Sequence, residues 1–398
     1  MKFGLGTMRR LCDALGHPER QFRSILIAGT NGKGSVTAMV HQGLVAAGHR
    51  AGRYTSPHLE RLEERFVVGN REASRDDLNE AAAVIRTTVE SLEAAGDLET
   101  SPTFFECATA MAFELFRKEE IEIGVLEVGL GGRLDATNVV EPVAVAITSI
   151  DYDHQAQLGS TLEAIAYEKA GVIRPGIPVV CGPLPPGADN VIVQTCREQG
   201  ARLLRASSWT GLEDLPGAAA PALRGAHQRE NARVAGCLLQ ELDALGVQVD
   251  EASRRSGILD VEWPGRLETL RWRGAEVLLD AAHNPAGARA LADYLRETGW
   301  TPATLVFGAL EDKDVRSMLA ELAPACGAIV CTTPVSPRAL QAEVLATLAK
   351  GVAGAEWTVS AIPEPERALE FAVGASGQVV AAGSIFLIGR LRGILRAR

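Results

Sequence analysis

An apolar run that breaks into a glycine-rich, lysine-bearing turn and continues as a helix constrains this chain more than any other feature. Ser24–Ile25–Leu26–Ile27–Ala28 reads as a buried strand and Gly29–Thr30–Asn31–Gly32–Lys33–Gly34–Ser35 as the turn. Val36 to Ala47 reads as a helix with apolar residues at helical spacing, closed by Gly48 in the position past the last turn that glycine favours. Glycines in such a turn let backbone N–H groups converge on an anion, and the helix N-terminus adds partial positive charge. The spacing departs from the common G-x-x-x-x-G-K-[ST] loop, because Gly34 separates Lys33 from Ser35. A tight turn with an incidental lysine is the competing account, and it leaves the density of Gly, Asn and Lys unexplained. Thr30, Asn31, Gly32, Lys33, Gly34 and Ser35 are therefore candidate ATP contacts, with Lys33 neutralising the β and γ phosphates during catalysis. A guanine-reading Asn-Lys-x-Asp segment is absent from the sequence.

Further buried strands are expected at Gly124–Val128 and Val143–Ile147, and strands alternating with helical patterns imply a mostly parallel, doubly wound sheet. Thr210 to Pro221, rich in Gly, Ala and Pro, is expected to be a surface loop. After Pro264–Gly265 a second set of strands is expected at Val277–Asp280, Thr304–Phe307, Ala328–Cys331 and Val379–Ala382, with a helix at Ala286 to Thr298. The fold class is α/β: a large phosphate-loop domain over residues 1–264, then a smaller Rossmann-like domain over residues 265–398. The formal net charge of −10 argues against a general nucleic-acid surface. No apolar run approaches the ~18–20 residues of a membrane helix, and Met1 to Arg10 lacks the apolar stretch of a signal peptide. Cytoplasmic placement is expected. The seven cysteines are scattered and read as small buried hydrophobes rather than a zinc site.

The loop Gly-Thr-Asn-Gly-Lys-Gly-Ser resembles that of the Mur-ligase superfamily, and most closely its folylpolyglutamate synthase and dihydrofolate synthase branch. Tyr54–Thr55–Ser56–Pro57–His58–Leu59 and the twelve residues from Glu127 to Asn138 agree in order. So do Asp153–His154, Glu168–Lys169–Ala170–Gly171, Pro264–Gly265–Arg266, Asp280 to Pro285 and Asp312–Lys313–Asp314. The 28 residues ahead of Gly29 are expected to leave no room for the nucleotide-sugar domain of the peptidoglycan branch.

The resemblance implies ligation of L-glutamate to a folate carboxylate, or to dihydropteroate, through an acyl phosphate. ATP is the co-substrate and two magnesium ions the cofactors. It places Ser56 and Glu127 on one ion and His154 on a second, with His154 also catalytic. It makes Lys169 a metal-holding and catalytic carbamate. Asn231, Arg266, Asp280 and His283 become ATP contacts, with Arg266 at the inferred domain boundary. Thr103, Phe104, Phe105 and Glu106, together with Leu134, Asp135 and Ala136, become the folate pocket. Asp312, Lys313, Asp314 and Arg338 are expected on the glutamate side, and Arg61, Glu63, Glu64 and Arg65 on a solvated, mobile face. Lys2–Phe3–Gly4–Leu5 stands where the family often reads Asp-Leu-Gly-Leu, which favours folate polyglutamylation over the dihydropteroate reaction. A monomer with small-molecule partners, no nucleic acid and no membrane is expected. Two other readings stay open: a ligase of the same superfamily with a non-folate acceptor, and a non-catalytic ATP-binding module.

Overall fold

The computed structural model describes residues 4–212, 220–353 and 357–397, so Lys2 and Phe3 and most of the Gly/Ala/Pro-rich stretch after Thr210 lie outside the described residues. The chain forms two compact units. One holds the residues up to Asp151, Gln155–Ala222 and Gln228–Glu262, and the other holds Tyr152–His154, Leu223–His227 and the residues from Trp263 onward.

The first unit carries β1 (Arg23–Ala28), β2 (Ala51–Tyr54), β3 (Phe66–Val68), β4 (Arg71–Glu72), β5 (Ile123–Glu127), β6 (Pro142–Ile147), β7 (Pro178–Cys181) and β8 (Arg202–Arg205). They form one sheet in the order β4-β3-β2-β5-β1-β6-β7-β8. The β2/β3 and β3/β4 pairs are antiparallel and the remaining pairs are parallel. β1 is central because every residue from Ser24 to Ala28 is buried, as its apolar run dictates. The crossover from β5 to β6 straddles β1, so the carboxyl ends of β5, β1 and β6 open at a switch point, where such sheets bind ligands. Helix Lys33–Ala46 is apolar on nearly all sides because it is covered by the sheet and by helix Glu251–Leu259.

The second unit has β9 (Glu268–Trp272), β10 (Ala275–Leu279), β11 (Ala303–Phe307), β12 (Cys326–Cys331), β13 (Thr358–Ala361) and β14 (Gln378–Ala382). Their order is β13-β12-β11-β14-β10-β9, parallel except for the antiparallel β9 at the edge. β9 and β10 meet across Arg273–Gly274, both at positive φ (48° and 85°), as a two-residue hairpin turn requires. The chain is therefore a two-domain α/β protein with a large, mostly parallel mixed sheet and a second, smaller one. All seven cysteines are free, six buried and Cys107 half-buried. Among the described residues, no helix is long and apolar enough to cross a membrane.

Candidate active site

The phosphate loop begins where β1 ends. Its last three residues belong to the helix, which starts at Lys33 rather than at Val36 as the apolar spacing suggested. The physical reason lies in Gly32, which caps the helix at φ 83°, a conformation open to glycine at little cost. The first intrahelical bond runs from the Val36 N–H to the Gly32 carbonyl (2.9 Å), so the N–H groups of Lys33, Gly34 and Ser35 sit in the first turn. The loop is latched to the segment after β6. The Asn31 N–H donates to Ser149 Oγ (3.0 Å), Thr148 Oγ1 donates to the Asn31 carbonyl (2.6 Å) and Thr30 N–H to the Ser149 carbonyl (2.8 Å). Thr148 and Ser149 were missed in the sequence reading. Their signal was available, since they directly follow a buried strand that pairs in parallel with β1.

Lys33 Nζ donates to the carbonyls of Gly29 and Thr30 (3.1 Å each). Lys169, buried at the end of helix Leu162–Ala170, donates its Nζ to the same Gly29 carbonyl at 2.8 Å. Glu127 closes β5, paired with Ile27 in register, so its buried carboxylate stands beside the loop. There it accepts the Ser56 N–H at 3.1 Å. Asn231, on helix Ala226–Ala244, lies against Gly32: a methyl group on that glycine would stand 2.2 Å from Asn231 Oδ1. Thr30 to Ser35, Ser56, Glu127, Lys169 and Asn231 therefore converge on one end of the sheet.

The folate-side segment divides. Thr103 and Glu106 form a reciprocal cap on helix Phe104–Lys118, each side chain accepting the other's backbone N–H (2.8 and 3.2 Å). Phe105 turns inward against Gly129 and Tyr54, with its ring centroid 6.3 Å from that of Tyr54. Phe104 points outward and is 63% exposed. Asp135 is buried and accepts the N–H groups of Leu130 (2.9 Å) and Thr137 (3.0 Å), which sets the turn that carries Leu134 and Ala136. Burial raises its carboxyl above the usual carboxylate value against these hydrogen bonds.

The second unit carries the remaining candidates. Asp280 accepts the N–H groups of Leu267 (3.0 Å) and Ala282 (2.9 Å), so its carboxylate joins the segment bearing half-buried Arg266 to the loop bearing His283. His154 sits at φ 50°, and its N–H is held by Asp153 Oδ1 at 2.9 Å. Asp153 is paired with Lys313 (2.7 Å) and accepts from Asn284 Nδ2 (3.1 Å), with His283 Nε2 at 3.6 Å. Two glutamate-side candidates are already engaged within this unit. Lys313 is engaged in a buried ion pair, and Asp314 caps helix Val315–Leu322 by accepting the Ser317 N–H (3.1 Å). Arg338 and Asp312 form an exposed pair at 3.4 Å.

Among the described residues, no group of three or more His, Cys, Asp and Glu side chains gathers as a ready metal cage. The donor chemistry of Ser56 hydroxyl and Glu127 carboxylate nevertheless fits magnesium, which takes one or two protein oxygens and completes its shell with water and phosphate.

Two family models match the chain: the Mur ligase middle domain over residues 27–175 and the Mur ligase glutamate ligase domain over residues 265–385. A dihydrofolate synthase/folylpolyglutamate synthase from Bacillus subtilis is 34% identical over 98% of this chain and 95% of its own. The chain belongs to the dihydrofolate synthase/folylpolyglutamate synthase family of Mur ligases. A solved structure of this family, Mycobacterium tuberculosis folylpolyglutamate synthase complexed with ADP, has a TM-score of 0.90 at 32% identity and covers 99% of this chain and 95% of that one. Another is the bifunctional folylpolyglutamate synthase/dihydrofolate synthase of Yersinia pestis complexed with AMPPNP and manganese. It has a TM-score of 0.83 at 30% identity, covering 99% of this chain and 94% of that one.

Proposed function

We propose that this chain joins L-glutamate to the carboxylate of a folate at the expense of ATP, with dihydropteroate as a second acceptor. The observation that carries the reading is the convergence of the phosphate loop, Glu127 and Lys169 at the carboxyl ends of β1 and β5, in a chain that covers 95% of its Bacillus subtilis relative. A carboxylate oxygen is a poor leaving group. Transfer of the γ-phosphoryl group from ATP to the folate carboxylate gives an acyl phosphate and ADP. The amine of glutamate then attacks the acyl carbon, loses a proton and expels phosphate, leaving an amide.

The residues supply positioning and charge rather than covalent chemistry. Backbone N–H groups of Gly32 to Ser35 and the Lys33 ammonium hold the phosphates, and Asn231, beside Gly32, is a proposed adenine-side contact. Ser56 and Glu127 would hold one divalent cation and His154 a second; such ions neutralise charge on the transferring phosphoryl group. Lys169, buried beside Gly29, is proposed to give up one proton from its ammonium, attack carbon dioxide as the free amine and lose a second proton, becoming an anionic carbamate. Arg266, Asp280 and His283 are proposed nucleotide contacts from the glutamate-ligase domain, residues 265–398. Phe104, Phe105 and the Leu134–Ala136 turn are proposed folate contacts. A monomer in the cytoplasm is part of the same reading.

The test is phosphate release by purified protein with ATP, magnesium, glutamate and a panel of pteroates and folates. Release should require both acceptor and glutamate, and heavy oxygen in the folate carboxylate should appear in the phosphate. Release that ignores the acceptor, or phosphate without the label, would sink the acyl-phosphate ligase.

A further inference from the structure

Arg266 is flanked on both sides by left-handed backbone. Gly265 lies at φ 72° and Leu267 at φ 49°, a conformation that a leucine keeps only where its surroundings enforce it. Both flanking residues are buried, Leu267 within the core of the second unit, and Arg266 between them is half-buried. Acidic side chains hold the backbone of the two flanks. The Leu267 N–H donates to Asp280 Oδ2 at 3.0 Å, and the Gly265 N–H donates to Glu268 Oε2 at 2.8 Å. The Gly265 carbonyl accepts the Ala281 N–H at 2.9 Å. The path of the chain into and out of Arg266 is therefore fixed on either side of the residue.

Glu268 is itself held from behind. It opens edge strand β9, opposite Leu279 of β10, and Arg392 on the last helix, Ile385–Arg396, donates its Nε to both carboxylate oxygens (3.0 and 2.8 Å). The pair is mostly shielded from water, with 12% of the Arg392 side chain and 20% of the Glu268 side chain exposed. The helix does not depend on this pair for its docking, because Leu387, Ile388, Leu391 and Leu395 are buried along it. A shielded ion pair contributes little net stability, since desolvation offsets its attraction, but a planar guanidinium holds a carboxylate in one orientation. One oxygen of that carboxylate is the acceptor of the Gly265 N–H.

We infer that Glu268 and Arg392 are positioning residues for Arg266: Arg392 orients the carboxylate, the carboxylate holds Gly265 in its left-handed turn, and the turn presents the Arg266 guanidinium to the nucleotide phosphates. This rests on the reading of Arg266 as a nucleotide contact given above. It extends the nucleotide site to the last helix, to which that reading gives no role.

Equilibrium dialysis of the full chain with a non-hydrolysable ATP analogue and magnesium reads the contact without turnover. Arg266→Ala should weaken binding roughly tenfold or more, the scale of one lost charge-assisted hydrogen bond. Glu268→Ala and Arg392→Met should each weaken it about fivefold and raise the KM for ATP in step, with the KM for glutamate unmoved. Arg392→Lys keeps a charged donor for Glu268 and should recover part of what Arg392→Met loses. In the Arg266→Ala background neither Glu268→Ala nor Arg392→Met should weaken binding further, because the residue through which they act is gone. A general loosening of the fold would instead multiply with the loss of Arg266, and that result would overturn the inference. Thermal unfolding identifies a variant lost to misfolding. Should Glu268→Ala be one, Glu268→Gln keeps an acceptor for the Gly265 N–H without the charge that draws Arg392, and wild-type affinity in it and in Arg392→Met would overturn the inference. Unchanged affinity in Arg266→Ala would overturn the nucleotide-contact reading and the inference together. A weakened Arg266→Ala beside unaffected Glu268 and Arg392 variants would overturn the inference alone.

Discussion

Lys169 Nζ donates to the carbonyl of Gly29 at 2.8 Å, joining the end of a helix to the first residue of a phosphate loop 140 positions earlier. The contact is buried, and Lys33 donates to the same carbonyl. Two ammonium groups drawn to one oxygen make a crowded cationic corner, and converting one into a carbamate would replace like-charge repulsion by attraction.

Lys169→Ala should lower turnover by at least about a hundredfold, the scale of removing one preorganised electrostatic group. Acetate or propionate added to that variant should restore part of the rate by standing in for the anion. Lys169→Arg keeps a cationic donor for Gly29 but cannot form the carbamate. A fully active Lys169→Arg enzyme would rule out the modification.

Gly32 gives a prediction about nucleotide binding. Its φ of 83° disfavours any side chain, and a methyl group would stand 2.2 Å from Asn231 Oδ1. Gly32→Ala should therefore raise the KM for ATP by about tenfold or more, from strain of about 1–2 kcal/mol together with the clash. Asn231→Gly in the same background removes the clash but leaves the strain and gives up the proposed Asn231 contact to ATP, so steady-state kinetics should show at most partial recovery.

His41 lies in the helix that follows the loop, and its Nε2 is a buried atom without a hydrogen-bond partner. Burial, and then the charge of Arg53, lower its pKa from 6.5 to about 3. The unfolded chain takes up a proton below pH 6.5, whereas the folded one resists until pH falls to about 3. Stability from this residue is therefore complete above that window and declines through it by about 1.4 kcal/mol per pH unit. Denaturant titrations of His41→Gln and wild type at about pH 7 and about pH 5 should show the variant losing less. Parallel losses would mean that His41 is not responsible.

Much of this fold was legible. β1, β5 and β6 are apolar runs buried on both faces, and such runs leave little choice of partner. β9 was not foreseen, because Glu268–Trp272 is half-buried and mixes polar with apolar residues at a sheet edge. Within the site, motif order pointed to Ser56, Glu127 and Lys169, while the division of labour between Phe104 and Phe105 depends on which way a helix start faces. Arg65 was read as solvated because three charged residues surround it in sequence. Its burial comes from Tyr54, His58 and Phe104, which only the folded chain brings to it.

The same blindness to distant partners hid the pairing of Lys313 with Asp153, residues 160 positions apart that lie 2.7 Å from each other, both nearly buried. Burial alone would raise the Asp153 carboxyl, but His283, Lys313 and His154 outweigh it and hold the group well below the usual carboxylate range. A carboxylate depressed in this way stabilises the fold above its ordinary pKa, and the contribution is lost only as pH falls far below it. Lys313→Met should cost about 3 kcal/mol, because it leaves a buried charge short of its nearest partner. It should also move the acid limb of stability to higher pH, since Asp153 would then protonate more readily. Lys313→Met combined with Asp153→Asn removes both charges at similar volume, and thermal unfolding should recover most of the loss. If the double variant is as unstable as Lys313→Met alone, the lysine acts through its packing and not through Asp153.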